Sequence, residues 1–271
     1  MIKALASLAL LSFTFTLSDV PGVMANEAPR DVVADLAPGG KLRAAINFGN
    51  SVLAQRDPAG GPPRGVSGEL ARELAKRLGV PIEYLPFDAA GKVFEAAKAR
   101  AFDIAFLAVD PVRATEISFT APYVVIEGIY VVPNGSPLRT NEDVDREGVR
   151  IAVARGSAYD LYLTRAIKRA TLVREGSGPE ALKLFVSDKL EAAAGVKQPM
   201  VAFAQEYPDM RVIPGRFMAI EQAMGTLNGR PVGARYLRKF VEEMKASGFV
   251  ANALKASGQG DAAVAPAAPA D

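Results

Sequence analysis

Apolar residues recur along this chain in two alternating rhythms. From Leu42 to Asn47 they run nearly unbroken, which predicts a short buried strand. After a Gly/Pro-rich loop from Asp57 to Gly65 they return as Leu70, Leu74 and Leu78, every fourth position, which predicts an amphipathic helix. Ser67 reads as its N-cap, Lys76 and Arg77 complement its last turn, and Gly79 stops it. Pro81 to Phe87 predicts a strand, Ala90 to Ala99 a helix buried through Val93, Phe94 and Ala97, and Phe102 to Val109 a third apolar strand. Tyr123 to Val132, rich in Val, Ile and Tyr, exceeds the usual strand of about five or six residues, so it predicts a strand that crosses between units.

Beyond Pro133-Asn134-Gly135 the alternation restarts. Strands are predicted at Val149 to Ala154, Thr171 to Arg174, Glu191 to Gly195 and Arg211 to Ile213. Helices are predicted from Ser157, over Pro179 to Ser187 and over Gln198 to Tyr207. The chain returns through Ala219 to Gly225. Pro231 then opens a helix whose Tyr236, Leu237, Phe240, Val241 and Met244 share one face, and a last helical turn or two ends near Leu254. Alternating strands and helices imply an α/β fold of parallel sheets covered on both faces, with ligands bound beyond the carboxyl ends of the strands. Two such lobes joined by crossing strands create a cleft that can close on a ligand.

The ends of the chain read differently. Lys3, the apolar Ala4 to Leu17, the turn-prone Ser18 to Gly22 and the small-residue end Val23-Met24-Ala25 predict a secretory signal peptide cleaved after Ala25. The apolar core is shorter than the roughly 20 residues of a membrane span. Residues 26–40 read as a charged leader, residues 41–124 and 225–257 as lobe 1, residues 125–224 as lobe 2 with hinge strands at its ends, and residues 258–271 as a disordered Ala/Pro/Gly tail.

Composition narrows the chemistry. The chain has no Cys and no His, so disulfides, a His-based triad and conventional zinc, copper or haem sites are excluded, and no cofactor is expected. The processing site carries no Cys for lipid attachment. Removing residues 1–25 takes away Lys3 and Asp19 and leaves the net charge at +2, too small a field to draw nucleic acid. The expectation is an exported periplasmic monomer that is not a lipoprotein.

Several segments together resemble the bacterial extracellular solute-binding proteins of family 3. They are Gly65-Val66-Ser67-Gly68-Glu69-Leu70-Ala71, Ala101-Phe102-Asp103-Ile104-Ala105 leading to Asp110-Pro111-Val112-Arg113, Ile117-Ser118-Phe119-Thr120-Ala121-Pro122-Tyr123, and Val153-Ala154-Arg155-Gly156-Ser157. The resemblance covers about Lys41 to Gly258. It implies a two-lobed periplasmic-binding-protein type II fold, two Rossmann-like lobes joined by two crossing strands. It further implies a substrate-binding protein that captures a small carboxylate-bearing solute, an amino acid or related organic acid, for the permease of an ABC importer.

The resemblance assigns Arg113 to the ligand's carboxylate, and a guanidinium can donate two parallel hydrogen bonds to such a group. The alternative is a surface Arg that pairs with Glu116 or meets water. Asp110-Pro111 reads as a cap with Pro at the first position of a turn. Ser157 and Ala158 sit where a strand turns into a helix, so their amides and the Ser157 hydroxyl either bind the same carboxylate or simply cap the helix.

This chain also departs from the family pattern. Asn50 stands near the position of a usual aromatic, which leaves Phe48, Phe87 or Phe106 to supply a stacking wall, and the stretch near Ala108 lacks the usual Ser/Thr. The family's lobe 2 Asp, which holds an α-ammonium, is missing where Glu191-Ala192-Ala193-Ala194-Gly195 continues into Val196-Lys197-Gln198-Pro199. Lys197 cannot accept a hydrogen bond from an ammonium. The expectation is a carboxylate without a free α-ammonium, or an ammonium held by Asn47, Asn50 or Glu69; a solvated Lys197 is the plain alternative. No catalytic residue is assigned. A periplasmic dehydratase- or deaminase-like enzyme would need an acid or base such as Glu69, Asp88, Asp110 or Glu221 in the cleft. A third possibility is a sensor that serves a separate membrane receptor.

Overall fold

The structure, a computed structural model, describes residues 28–269, so the signal-peptide reading of residues 1–25 lies outside the described residues. The first helix, α1 (Arg30–Leu36), falls inside the stretch read as a leader. It belongs to the fold: Val32 and Leu36 are buried, and the Asp35 carboxylate accepts hydrogen bonds from the amides of Val232 and Gly233, 3.0 and 2.9 Å away. Asp35 thus supplies to a distant helix the N-terminal acceptor that its own sequence lacks.

Lobe 1 continues with β1 (Leu42–Asn47), α2 (Val66–Leu78), β2 (Ile82–Phe87), α3 (Ala90–Lys98) and β3 (Ile104–Ala108). Helix α2 begins one residue before Ser67, with Gly65 as its N-cap. Ser67 is therefore not the cap; its hydroxyl lies 3.3 Å from that of Tyr123 in the interior. Leu70, Leu74 and Leu78 are buried, and each such leucine contributes about 1.5–3 kcal/mol relative to exposure.

The crossing strand β4 (Ile117–Pro133) leads into lobe 2, which comprises β5 (Arg150–Ala154), α4 (Ala158–Ala166), β6 (Thr171–Glu175), α5 (Gly178–Ser187), β7 (Ala192–Val196), α6 (Lys197–Glu206) and β8 (Met210–Val212). The return strand β9 (Met218–Leu227) precedes α7 (Pro231–Ala246), α8 (Phe249–Ala256) and β10 (Ala263–Val264). Strand order is β2-β1-β3-β9-β4-β7-β5-β6. Strands β1, β2 and β3 are parallel, as are β5, β6 and β7, while β4 and β9 run antiparallel to each other and to their neighbours β7 and β3. The register of β4 on β9 shifts between Phe119 and Val124. Separate cores form on either side of the crossing, one including Ile46, Leu74, Phe106 and Phe240, the other Tyr130, Ile151 and Leu163.

The tail corrects a second expectation. Strand β10 pairs with β4, the Ala265 amide donates to Tyr123 O, and Lys245 Nζ donates to Pro266 O at 2.8 Å. Residues 258–269 are thus anchored by main-chain bonds, which composition does not encode, rather than disordered. Among the described residues no helix is long and apolar enough to cross a membrane.

Candidate functional site

The cleft opens at the carboxyl ends of β1, β3 and β5. Beyond β3 the Asp110 carboxylate accepts from the Val112 amide at 2.8 Å, and the Ala114 amide donates to Asp110 O at 2.9 Å. These two bonds curl the chain into a short 3-10 turn, Arg113–Thr115, that folds Arg113 inward until only 1% of it is exposed. Its Nη1 donates to Ala108 O at 2.9 Å, and Nη2 reaches across the cleft to Gly156 O at 2.8 Å. Nε has no partner, and Arg113 takes part in no salt bridge among the described residues. Burial pushes its pKa down to about 10, against the opposing pull of Asp110. Neither Glu116 nor bulk water holds this side chain. A buried cation whose direct partners are two carbonyls, with no carboxylate in contact, is electrostatically unfinished.

Across the cleft, Gly156 turns the chain from β5 into α4 with φ +68°. Ser157 Oγ accepts from the Asp160 amide at 3.0 Å, while Asp160 Oδ2 accepts from the Gly156 amide at 2.8 Å and Oδ1 from Arg174 Nε at 2.8 Å. This reciprocal cap fixes the loop. It also commits the Ser157 oxygen, and the Ser157 amide already donates to Ala154 O. Of the two amides expected to face a ligand, that of Ser157 is therefore taken, whereas Ala158 opens α4, where backbone donors have no helical acceptor.

Arg113, Ala108, Asn47, Asn50, Ser157 and Ala158 all line one cavity of about 50 Å³. Asn47 Oδ1 accepts from the Gly49 amide, whereas Asn50 is only 8% exposed and its Oδ1 has no partner. A larger chamber of about 350 Å³ adjoins it, sharing Gly49, Asp88, Tyr159, Gly178 and Val196. Phe48 lines this chamber under the Arg56 guanidinium, 4.3 Å from its ring centroid.

Two expected site residues lie elsewhere. Phe87 packs against the core around Val93 and Phe102, because the pleat of β2 turns it there, and it lines neither cavity. Lys197 lines neither as well; its Nζ meets Glu127 Oε2 at 2.6 Å beside the crossing strands and lowers that carboxylate's pKa. Val196, one residue earlier, faces the cavity instead. Phe106 is buried edge-on against Tyr123.

The possible acids are tied down by cations or face away. Glu69 pairs with Arg72 and Asp110 with Arg165. Glu221 is exposed. Asp88 lines the cavity but is held by Lys92, whose hydrogen bond lowers its pKa.

Sequence reasoning missed the contacts that bring the lobes together. Arg165 of α4 reaches Asp110 Oδ2 at 2.8 Å. At Gly91, an added Cβ would sit 2.7 Å from Arg155 O, and one at Gly156 would sit 2.8 Å from Gly91 Cα. The two main chains touch, and only glycine on both sides permits it. Asp160, three residues after Ser157, carried a readable capping signal; nothing local marked Gly91 or Arg165.

A family model described as bacterial extracellular solute-binding proteins, family 3, matches residues 53–256. No curated protein matches the chain. Among solved structures, a mutant of ArgBP from T. maritima superposes with a TM-score of 0.71 at 19% identity, covering 84% of this chain and 99% of that one. A solute receptor for L-cysteine of Neisseria gonorrhoeae gives 0.70 at 22%, covering 83% and 91%. An ancestral amino acid-binding protein, described as a precursor of cyclohexadienyl dehydratase, gives 0.68 at 21%, covering 83% and 97%. At these identities the likeness is one of fold, the type II periplasmic-binding-protein architecture.

Proposed function

From the premise that this chain belongs to the bacterial extracellular solute-binding proteins of family 3, we propose that it captures a small carboxylate-bearing solute in the periplasm and delivers it to the permease of an ABC importer. The observation that carries this reading is Arg113, a fully buried guanidinium facing the cavity with Nε unpartnered and no carboxylate bound to it. A ligand carboxylate arriving between the lobes supplies the missing negative charge. It accepts from Arg113 in place of the carbonyls and finds further donors at the start of α4.

Capture then proceeds by closure. The open lobes admit the solute, Arg113 anchors it from lobe 1, α4 meets it from lobe 2, and the Asp110–Arg165 pair and the Gly91–Gly156 contact form as the halves meet. No bond is made or broken. Asp88, the one acidic side chain on the cavity wall among the described residues, has its pKa lowered, the opposite of what a general acid at neutral pH requires.

The test compares small acids with their primary amides in a thermal-shift assay. At a hundred times its dissociation constant a ligand adds about 2.7 kcal/mol of stability. Acids are expected to shift the transition and their amides to leave it unmoved. Equal shifts from both members of a pair would overturn the reading.

A further inference from the structure

Resting on that reading, we infer that the solute carries a neutral hydrogen-bond donor beside its carboxylate and a bulky apolar tail, as an aryl- or alkyl-substituted 2-hydroxy acid does, and that Asn50 reads the neutral group. The small cavity at Arg113 holds about 50 Å³, too little for more than the head of a ligand, and it continues into the chamber of about 350 Å³. Ligand sites of roughly 300–1,000 Å³ bury most of a small molecule, so the tail belongs in the larger space. That space is walled by Phe48 from lobe 1 and by Ala181, Leu182, Pro199 and Met200 from lobe 2, an apolar surface. Its charged side chains lie on lobe 1 and are engaged, Arg56 over the ring of Phe48 and Asp88 with Lys92.

The head group is constrained from three sides. Arg113 and Arg155 line the small cavity, and the one carboxylate there, Asp88, is bound to a lysine. At the carboxyl end of β7 the cavity wall is Val196, whose side chain offers no acceptor. The acceptors facing the head are neutral side-chain amides, Asn47, Asn50 and Gln222, of which Asn50 Oδ1 is buried and without a partner. Neutral amide oxygens satisfy a hydroxyl, whereas an ammonium there brings a charge that no free carboxylate compensates beside Arg113 and Arg155. The pocket therefore selects against free α-amino acids.

Calorimetric titration of the full protein with 3-phenyllactate, phenylalanine and lactate tests both halves of the inference. 3-Phenyllactate is expected to bind at least about tenfold more tightly than either of the others, one decade of Kd in each comparison. Asn50→Asp is expected to move the ratio towards phenylalanine by about tenfold or more. Leu182→Glu, and Ser51→Trp on the exposed opposite wall, are each expected to collapse the preference for 3-phenyllactate over lactate. Phenylalanine binding as tightly as 3-phenyllactate, or Asn50→Asp leaving their ratio unmoved, would overturn the neutral-head assignment. Lactate binding equally well, or a preference indifferent to both wall variants, would overturn the tail, and binding of none of the three removes the inference as a whole. In each of those cases, acids that still lose binding on Arg113→Gln leave the capture reading standing. 3-Phenyllactate binding that ignores Arg113→Gln would instead overturn that reading while the tail assignment survives.

Discussion

The two ends of β3 each hold a buried charge, and they are built in opposite ways. Before its first residue stands Asp103, whose carboxylate accepts from Arg43 at the backbone amide, Nε and Nη2 and from Arg230 Nη1, all at 2.9–3.0 Å. Burial alone would raise its pKa, but the two guanidiniums outweigh it and hold the acid below its ordinary value. Beyond the last residue stands Arg113, equally buried, with two carbonyls and an idle Nε. One end is closed electrostatically and stitches β1, β3 and the entry to α7 together. The other is left incomplete where the cleft is. At one end of the strand a buried charge is completed by its surroundings; at the other, beside the proposed solute site, it is not.

Mutating each end should break the comparison cleanly. Asp103→Ala leaves two guanidiniums facing a void and is expected to cost about 3–5 kcal/mol of stability, as for a buried ion pair with one partner removed; chemical denaturation measures it. A loss below 1 kcal/mol would mean the cluster is ornamental. The same cluster sets an acid limit. Because the folded pKa of Asp103 is depressed, its contribution is present at neutral pH and disappears as pH falls through that folded value.

Arg113→Gln should do the reverse, weakening ligand affinity by about 2–5 kcal/mol while leaving the unliganded protein no less stable, since a buried charge without a carboxylate in contact is removed. Because burial lowers the pKa of Arg113, affinity in the unmodified protein should hold through neutral pH and fall only in strongly alkaline solution. Calorimetry across that range would detect a flat profile, which contradicts the assignment.

Gly91→Ala should follow in size. The added carbon would meet Arg155 O; if that contact forms only on closure, as proposed, a penalty of about 1–3 kcal/mol, typical of overpacking, should appear in affinity and be absent from the stability of the open protein. Lys197→Ala should change affinity by less than about 1 kcal/mol, the range of an exposed pair. A larger loss would return Lys197 to the site.

Most of the α/β alternation was legible because β1, α2, α3 and β3 carry their periodicity locally. What escaped was information stored at a distance. Helix α1 buries only Val32 and Leu36 amid charges, and its value lies in Asp35 capping α7 almost two hundred residues later. The tail reads as low complexity because β10 is held by main-chain bonds to β4 that any small residue could make. At the site, the residues collected around Arg113 were marked by strand ends and family motifs, while Phe87 and Lys197 were misplaced because facing depends on pleat and helix phase. The Asp110–Arg165 pair joins residues from different lobes and has no local signature.

The abutting glycines of α3 and the β5–α4 turn would act as a mechanical end-stop to the proposed closure. If the halves close as proposed, backbone meets backbone there, so the angle at which they arrest would be set by the polypeptide and not by the girth of the cargo. A docking partner would therefore meet one loaded silhouette for every cargo that lets the jaws reach it, and molecules too large to permit that contact would be held without being announced.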